Sequence, residues 1–515
     1  MNQHLSRRQL IGGALASGLT LRTASAATAP ATLFREVMLV DGTGAPPRLA
    51  DVFVTGDRIA AITAPAAPTR VTAARVVAGE GRVLAPGFID THTHGDPLTD
   101  SYDGFLAMGV TTITLGVDGG GPRIGNDPDL RGWMRAADRA QLDLNVITLA
   151  SHGTLRHAAR IPDSVRRPDA AALARLETQL SAELRAGAFG LTYGLEYVPG
   201  IYSETAELTA LGRVVARHGG VVMSHMRSEN DEEIEKSIDE LIASAGPARP
   251  HISHLKVVFG KGEARARALL DFLAAKRRAG IDLTADAYPY IAGFTGIAIL
   301  FPEWALPPTD YATILATRRQ ELRDYLERRM IRRGGPEMLL LGTGKHAGKT
   351  VAQASQEAGL AFPDFLIQLG PNGGSGAHFT MDQALQDVLL LDPVVAISTD
   401  GGPTQRHPRS TGTYAKLIED YVAKTRRLPI EEAVRKATSF PARILRLPDR
   451  GTIRPGAKAD LILFDPAKVH ARSTYLDPFA RAQGFDLVMV NGQTAFESGQ
   501  RVNRPGRLLR AAPKG

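Results

Sequence analysis

The chain has 515 residues, enough for one large domain and a smaller one, and its 43% hydrophobic and 22% charged content is that of a globular protein, not a disordered one. Of its net charge of +7, three units come from Arg7, Arg8 and Arg22, and basic residues elsewhere, as in 323–333, alternate with apolar residues and acids, which argues against nucleic-acid binding. There is no cysteine, which excludes disulfides, thiolate ligands and cysteine nucleophiles, so any metal must be held by histidine, carboxylate and water.

In chain order, residues 1–26 read as an export leader. Ser6-Arg7-Arg8-Gln9-Leu10, the apolar stretch Ile11–Leu21 and the small residues Ala24-Ser25-Ala26 follow one another as a basic region, an apolar region and a cleavage site. The stretch is too short to span a bilayer. The paired arginines resemble a twin-arginine signal, so cleavage after Ala26, a periplasmic or secreted protein and no membrane anchor are expected.

Residues 27–85 alternate short β-rich runs with turns, as in the two strands expected around Gly56-Asp57 within 50–62. Residues 86–440 alternate apolar β-branched runs (110–115, 144–150, 221–224, 251–257, 394–399) with helical stretches such as 169–186 and 203–218. Repeated βα units over this length predict an α/β fold, a TIM-like (β/α)8 barrel. Residues 295–345, with Pro302, Pro307, Pro308 and an Arg/Glu-rich helix, read as an insertion over the barrel mouth, a candidate lid. Residues 441–515 return to β structure, with strands at 460–465 and 487–490 and a turn at Asn491-Gly492. Two β-rich ends bracketing one α/β body are expected to pair into a small β-sandwich.

The chemistry begins at Pro86-Gly87-Phe88-Ile89-Asp90-Thr91-His92-Thr93-His94. Side chains at i and i+2 of a strand project together, and the C-terminal strand ends of a barrel are where active sites are built, so His92 and His94 are candidate metal ligands. Two imidazoles converging on one point suit a zinc-like ion. Later runs end in His225, in His254 with Lys256 expected on its face, and in Asp400. Each alone has a structural reading; in chain order around one barrel they would converge on one mouth.

This set resembles the ligands of the amidohydrolase superfamily and, more narrowly, the N-acyl-D-amino-acid deacylases (D-aminoacylases). The resemblance rests on 86–94, Gly109-Val110-Thr111-Thr112, 151–156, 190–197, 225–229, 252–256, 286–290, Asp400-Gly401, 407–409 and 451–460. It implies that His225 and His254 hold a tight Zn2+, that His92 and His94 serve a second, weaker site, and that Asp400 is the catalytic base and a ligand to that second site. It further implies that Lys256, Tyr288 and Arg409 grip a substrate carboxylate. The expected reaction is metal-assisted hydrolysis of an amide on a small carboxylate-bearing molecule.

Three positions depart from the family pattern. Asp118, in Gly116-Val117-Asp118-Gly119, stands where the family has a metal-binding cysteine, and reads as a hard substitute able to bridge two ions or as a turn residue. Phe294 replaces an expected small polar residue, and Tyr193 a serine. His152, His218, His251, His346, His378 and His407 are assigned no ligand role. The alternatives are a cyclic amidase or dipeptidase of the same superfamily, against which stands the absence of lysine between 86 and 224, and a non-catalytic protein on the same scaffold.

Overall fold

The β-branched runs and the amphipathic helices between them settle into two bodies of different pairing. The computed structural model describes residues 31–67 and 73–512; the leader read at 1–26 lies outside the described residues. Among the described residues no helix is long and apolar enough to cross a membrane.

The α/β body carries parallel strands in chain order: Phe88–Asp90, Val110–Leu115, Asn145–Thr148 running on into Ala150–Ser151, Gly190–Gly194, Val221–His225, Arg249–Ile252, Thr284–Ala287 and Val395–Ile397. Each pairs in parallel with the next. A parallel bridge between Thr93 and Gly401 brings the last strand beside the first, with Asp400 N donating to His92 O (2.9 Å) and His94 N to Gly401 O (2.7 Å). Nearly every residue of these strands is buried, as expected of parallel strands covered by helices. The helix Ala170–Arg185 starts where Asp169 accepts from Ala172 N (2.7 Å), and Thr205–His218 ends at Gly219 in the left-handed conformation that only glycine adopts without strain.

One strand stops earlier than its sequence suggests. The run 251–257 is β only to Ile252, because His254 takes φ 38° and its N–H is captured by Asp286 Oδ1 (2.7 Å) instead of a neighbouring strand. His254 and Lys256 therefore stand on a loop at the strand end, not on one strand face.

Strands from both chain ends join in one nine-stranded mixed sheet through the antiparallel pairing of Val83–Pro86 with Leu461–Phe464. Phe34, Val52, Leu84, Leu461 and Leu487 form its core. Asn491 and Gly492, both at positive φ, make the tight hairpin turn before Gln493–Glu497.

The insertion is larger than 295–345. An antiparallel sheet of Gly293–Gly296, Leu339–Leu341 and Ser375–His378 is accompanied by a separate core, in which Leu322 and Leu326 pack with Phe365 and Leu366. The helix Phe362–Leu369 buries its apolar face there.

Candidate metal centre

Two buried aspartates assemble the site. Asp90 accepts from Thr93 Oγ1 (2.8 Å), Thr399 N (2.9 Å) and Thr399 Oγ1 (2.6 Å), tying the end of the first strand to that of the last. His92 and Asp400 thereby meet across more than 300 residues of chain. Asp286 accepts from Thr91 Oγ1 (2.6 Å), Ser398 Oγ (2.9 Å) and His254 N, and pairs with His251 Nε2 at 2.8 Å. His251 is not among the converging ligands, yet it steadies the aspartate that orients His254.

Around this frame His92, His94, Asp118 and Asp400 bring one ligand atom each within 4.8 Å of the others, and so do Asp118, His225 and His254. His92 Nε2 lies 3.3 Å from Asp118 Oδ2 and 3.5 Å from Asp400 Oδ1; His94 Nε2 lies 3.6 and 3.1 Å from the same atoms. His254 Nε2 is 3.3 Å from Asp118 Oδ1 and 3.0 Å from His225 Nδ1. A tetrahedral ion with bonds of about 2.0–2.1 Å holds its ligand atoms about 3.3 Å apart, so the spacing fits. The fit is sharpest at His92. Its Nε2 is fully buried and makes no hydrogen bond, although two carboxylates lie near it. Buried polar atoms rarely stay unsatisfied, and atoms grouped about a common point, not aimed at one another, are arranged as ligands.

Asp118 turns one oxygen to each set. It stands at φ 53°, and Asp400 at φ 49°, so these carboxylates, like His254, sit in a region non-glycine residues seldom adopt. Gly194 makes room for the loop: a Cβ there would lie 2.0 Å from Asp118 O.

The charges are balanced locally. Burial opposes ionisation of Asp118, but His92 and His254 hold its pKa well below the usual carboxylate range. Burial likewise opposes ionisation of Asp400, and Arg409, His254, His94 and His92 overcome it. Burial lowers the pKa of His92, keeping the ring neutral as a ligand must be. Burial and Lys256 disfavour charge on His254, but Asp400, Asp118 and Glu229 raise its pKa well above the ordinary value.

The residues expected to grip a carboxylate have protein partners. Arg409 is fully buried, with Nη1 2.6 Å from Asp400 Oδ2 and its guanidinium 4.9 Å from the Tyr288 ring centre. Lys256 Nζ donates to Glu229 Oε1 (2.7 Å). Such pairing is expected, since buried charges in a low-dielectric site require counter-charges. Lys256 still lines the cavity, and a Cβ on cavity-lining Gly293 would sit 3.7 Å from Tyr288 Oη and 3.8 Å from Lys256 Cε. Arg409 does not line it.

That cavity opens onto Asp118, His225, His254 and Asp400. Sequence reasoning missed four of its wall residues: Glu196, 3.0 Å from His225 Nε2; Glu229, whose ionisation burial opposes but Lys256 secures, its pKa falling to about 2; Arg333; and His378. Glu229 follows His225 within a motif matched to the family, the one signal that could have found it. His378 was read as a loop residue but ends the strand Ser375–His378, where pairing with Gly293 carries it to the cavity. Phe294 does line the cavity, with Thr295 beside it. Tyr193 points elsewhere, its hydroxyl donating to Leu208 O (2.9 Å). His407 Nδ1 accepts from the backbone N of Arg409 (3.0 Å); His152 pairs with Glu207 and His218 with Ser181.

With this geometry in place, an amidohydrolase family model matches residues 369–496. The chain is 32% identical to an N-acyl-D-glutamate deacylase of Alcaligenes xylosoxydans xylosoxydans over 92% of its own length and 95% of the relative's. It is 30% identical to a D-aminoacylase of the same organism, over 90% and 95%. Among solved structures, the N-acyl-D-glutamate deacylase of Bordetella bronchiseptica, complexed with zinc and a phosphonate mimic of the tetrahedral intermediate, superposes with a TM-score of 0.80 at 28% identity, covering 93% of this chain and 99% of that one. The chain belongs to the N-acyl-D-amino-acid deacylase (D-aminoacylase) family of amidohydrolases.

Proposed function

We propose that the protein is a zinc-dependent hydrolase that deacylates N-acyl-D-amino acids, releasing a D-amino acid and the carboxylate of the acyl group. The observation that carries this is the convergence of six side chains from five strand ends, His92, His94, Asp118, His225, His254 and Asp400, in two groups that share Asp118, beside a cavity lined by Asp118, His225, His254, Asp400 and Lys256. Family membership and the zinc-bound relative support it.

Asp118, His225 and His254 would hold the tight ion, and His92, His94 and Asp400, with Asp118 in reach of both groups, would hold a weaker one. Zinc supplies Lewis acidity and lowers the pKa of a water molecule to about 7. Asp400, kept ionised by Arg409 and the histidines, accepts the proton of the attacking water and passes it to the leaving amine. Lys256 and the Tyr288 hydroxyl, flanking Gly293, fix the substrate's α-carboxylate, while Arg409 holds Asp400 in orientation. In this reading the parallel strands close as a (β/α)8 barrel, supported by the Thr93–Gly401 bridge, and the terminal sheet folds over its own core as a sandwich.

The test is release of free amine from paired N-acetyl-D- and N-acetyl-L-amino acids, a hydantoin and a dipeptide by zinc-reconstituted protein. Turnover restricted to the D series is expected; turnover confined to the cyclic substrate, the dipeptide or the L series overturns the reading. We also propose export through the leader at 1–26, with a mature N-terminus at Ala27; exported protein that begins at Met1 overturns that proposal.

A further inference from the structure

Whole-chain identity does not separate a glutamate-derivative deacylase from a general D-aminoacylase, since the two relatives are 32% and 30% identical to this chain. The wall of the cavity does. Its cations differ in how they are balanced. Lys256 is paired with Glu229 at 2.7 Å, and His254 lies against Asp118 and Glu229. Arg333 also lines the cavity and is only 7% exposed, yet among the described residues no carboxylate lies within 4.0 Å of its guanidinium. His378 Nδ1 lies 3.5 Å from Nη2, and the Phe259 ring centre is 5.8 Å from its guanidinium carbon.

Helix capping does not account for this side chain. Arg333 ends the helix Arg319–Arg332, but the contacts made there, to Arg329 O and Met330 O, use its backbone N–H. Burial, with Arg329 nearby, lowers the pKa of Arg333 to about 10, which still leaves it charged at neutral pH. Glu196 and Glu229 favour its charge only from beyond ion-pair distance, and a buried charge without a close counter-charge is costly unless a ligand completes it. His378 next to it is buried and neutral, its pKa lowered by burial and by Arg333 itself, and its Nε2 has no hydrogen-bond partner. Asn230 and Thr380 add polar groups to the same wall. A planar guanidinium beside a neutral imidazole on one cavity wall suits a carboxylate.

We infer that Arg333, with His378, receives the side-chain carboxylate of the substrate, so that the preferred substrates are N-acyl derivatives of acidic D-amino acids. This rests on the deacylase reading above. It makes Arg333 a specificity-determining residue supplied by the insertion, at the opposite end of the substrate from the α-carboxylate held by Lys256 and Tyr288. A neutral isostere leaves the guanidinium buried without its counter-charge, so discrimination against the amide is expected to be steep.

The experiment measures kcat/KM of zinc-loaded protein for N-acetyl-D-glutamate, -D-aspartate, -D-glutamine, -D-asparagine and -D-methionine, in the parent and in R333M and R333K. In the parent, at least one acid should exceed its amide by about 100-fold or more. R333M should abolish that ratio while sparing the neutral substrates, and R333K should keep part of it. The acid-to-amide ratio is the readout a purely structural role would not move. Equal turnover of acid and amide by the parent, or a uniform loss across all substrates in both variants, overturns the inference while leaving the deacylase reading intact. No turnover of any of the five overturns the deacylase reading itself. Should R333M fail to fold, the parent ratio and R333K still decide.

Discussion

Asp118 Oδ1 lies 3.3 Å from His254 Nε2, while the other oxygen of the same carboxylate lies 3.3 Å from His92 Nε2. One side chain thus touches both ligand sets, from a position where the family pattern has a sulfur ligand. A carboxylate offers two hard donors where a thiolate offers one soft atom.

Asp118→Asn removes the charge and one competent ligand oxygen. Zinc bound per chain, measured by elemental analysis after dialysis, should fall below that of the parent, and kcat/KM by about 100-fold or more. Chelation of the parent should abolish activity, and added zinc should restore it. An Asp118→Asn protein with the parent's zinc content and rate would assign Asp118 to the turn alone.

Asp400→Asn keeps an oxygen near His94 but cannot take a proton. Loss of general-base catalysis is worth about 100- to 10,000-fold, so turnover should drop by that range while zinc at the tight site persists. Comparison of kcat with zinc content separates the two roles; parallel loss of both would make Asp400 a ligand first.

Gly194→Ala adds a methyl group where a Cβ would meet Asp118 O at 2.0 Å. The variant should lose about 1–3 kcal/mol of stability, as overpacked sites do, and should bind zinc more weakly because the loop carrying Asp118 is displaced. Thermal unfolding with and without zinc measures both effects.

Glu183 gives a pH dependence away from the site. Burial raises its pKa to about 7, against the help of Gln179. The folded state therefore holds this proton more tightly than the unfolded state, whose value is about 4.5. Its contribution is complete below about pH 4.5 and is lost as pH rises to 7, on the order of 3 kcal/mol in all. Glu183→Gln does not titrate, so its Tm relative to the parent should be higher at pH 8 than at pH 5. A pH-independent difference would mean that Glu183 is charged in the fold.

Much of the metal centre was legible in the chain itself. His92 and His94 follow an apolar run after Pro-Gly, His225 and Asp400 each end another, and the lack of cysteine restricts the donors to nitrogen and oxygen. These are local features: a period of two along a strand and a position at its end. His254 was found for a partly mistaken reason, since the strand meant to carry it stops at Ile252 and Asp286 shapes the loop that presents it.

Only the tertiary structure decided which charges are spoken for. Arg409 lies against Asp400 and Lys256 against Glu229, whereas Arg333 has no carboxylate within 4.0 Å among the described residues and lines the cavity from an insertion whose core joins Leu322 to Phe365. His378 arrives there through pairing with Gly293, 85 residues earlier in the chain. Periodicity records which side of its own element a residue occupies. Burial and ion pairing depend on the elements brought against it, so the wall of the cavity appears only when the chain is folded.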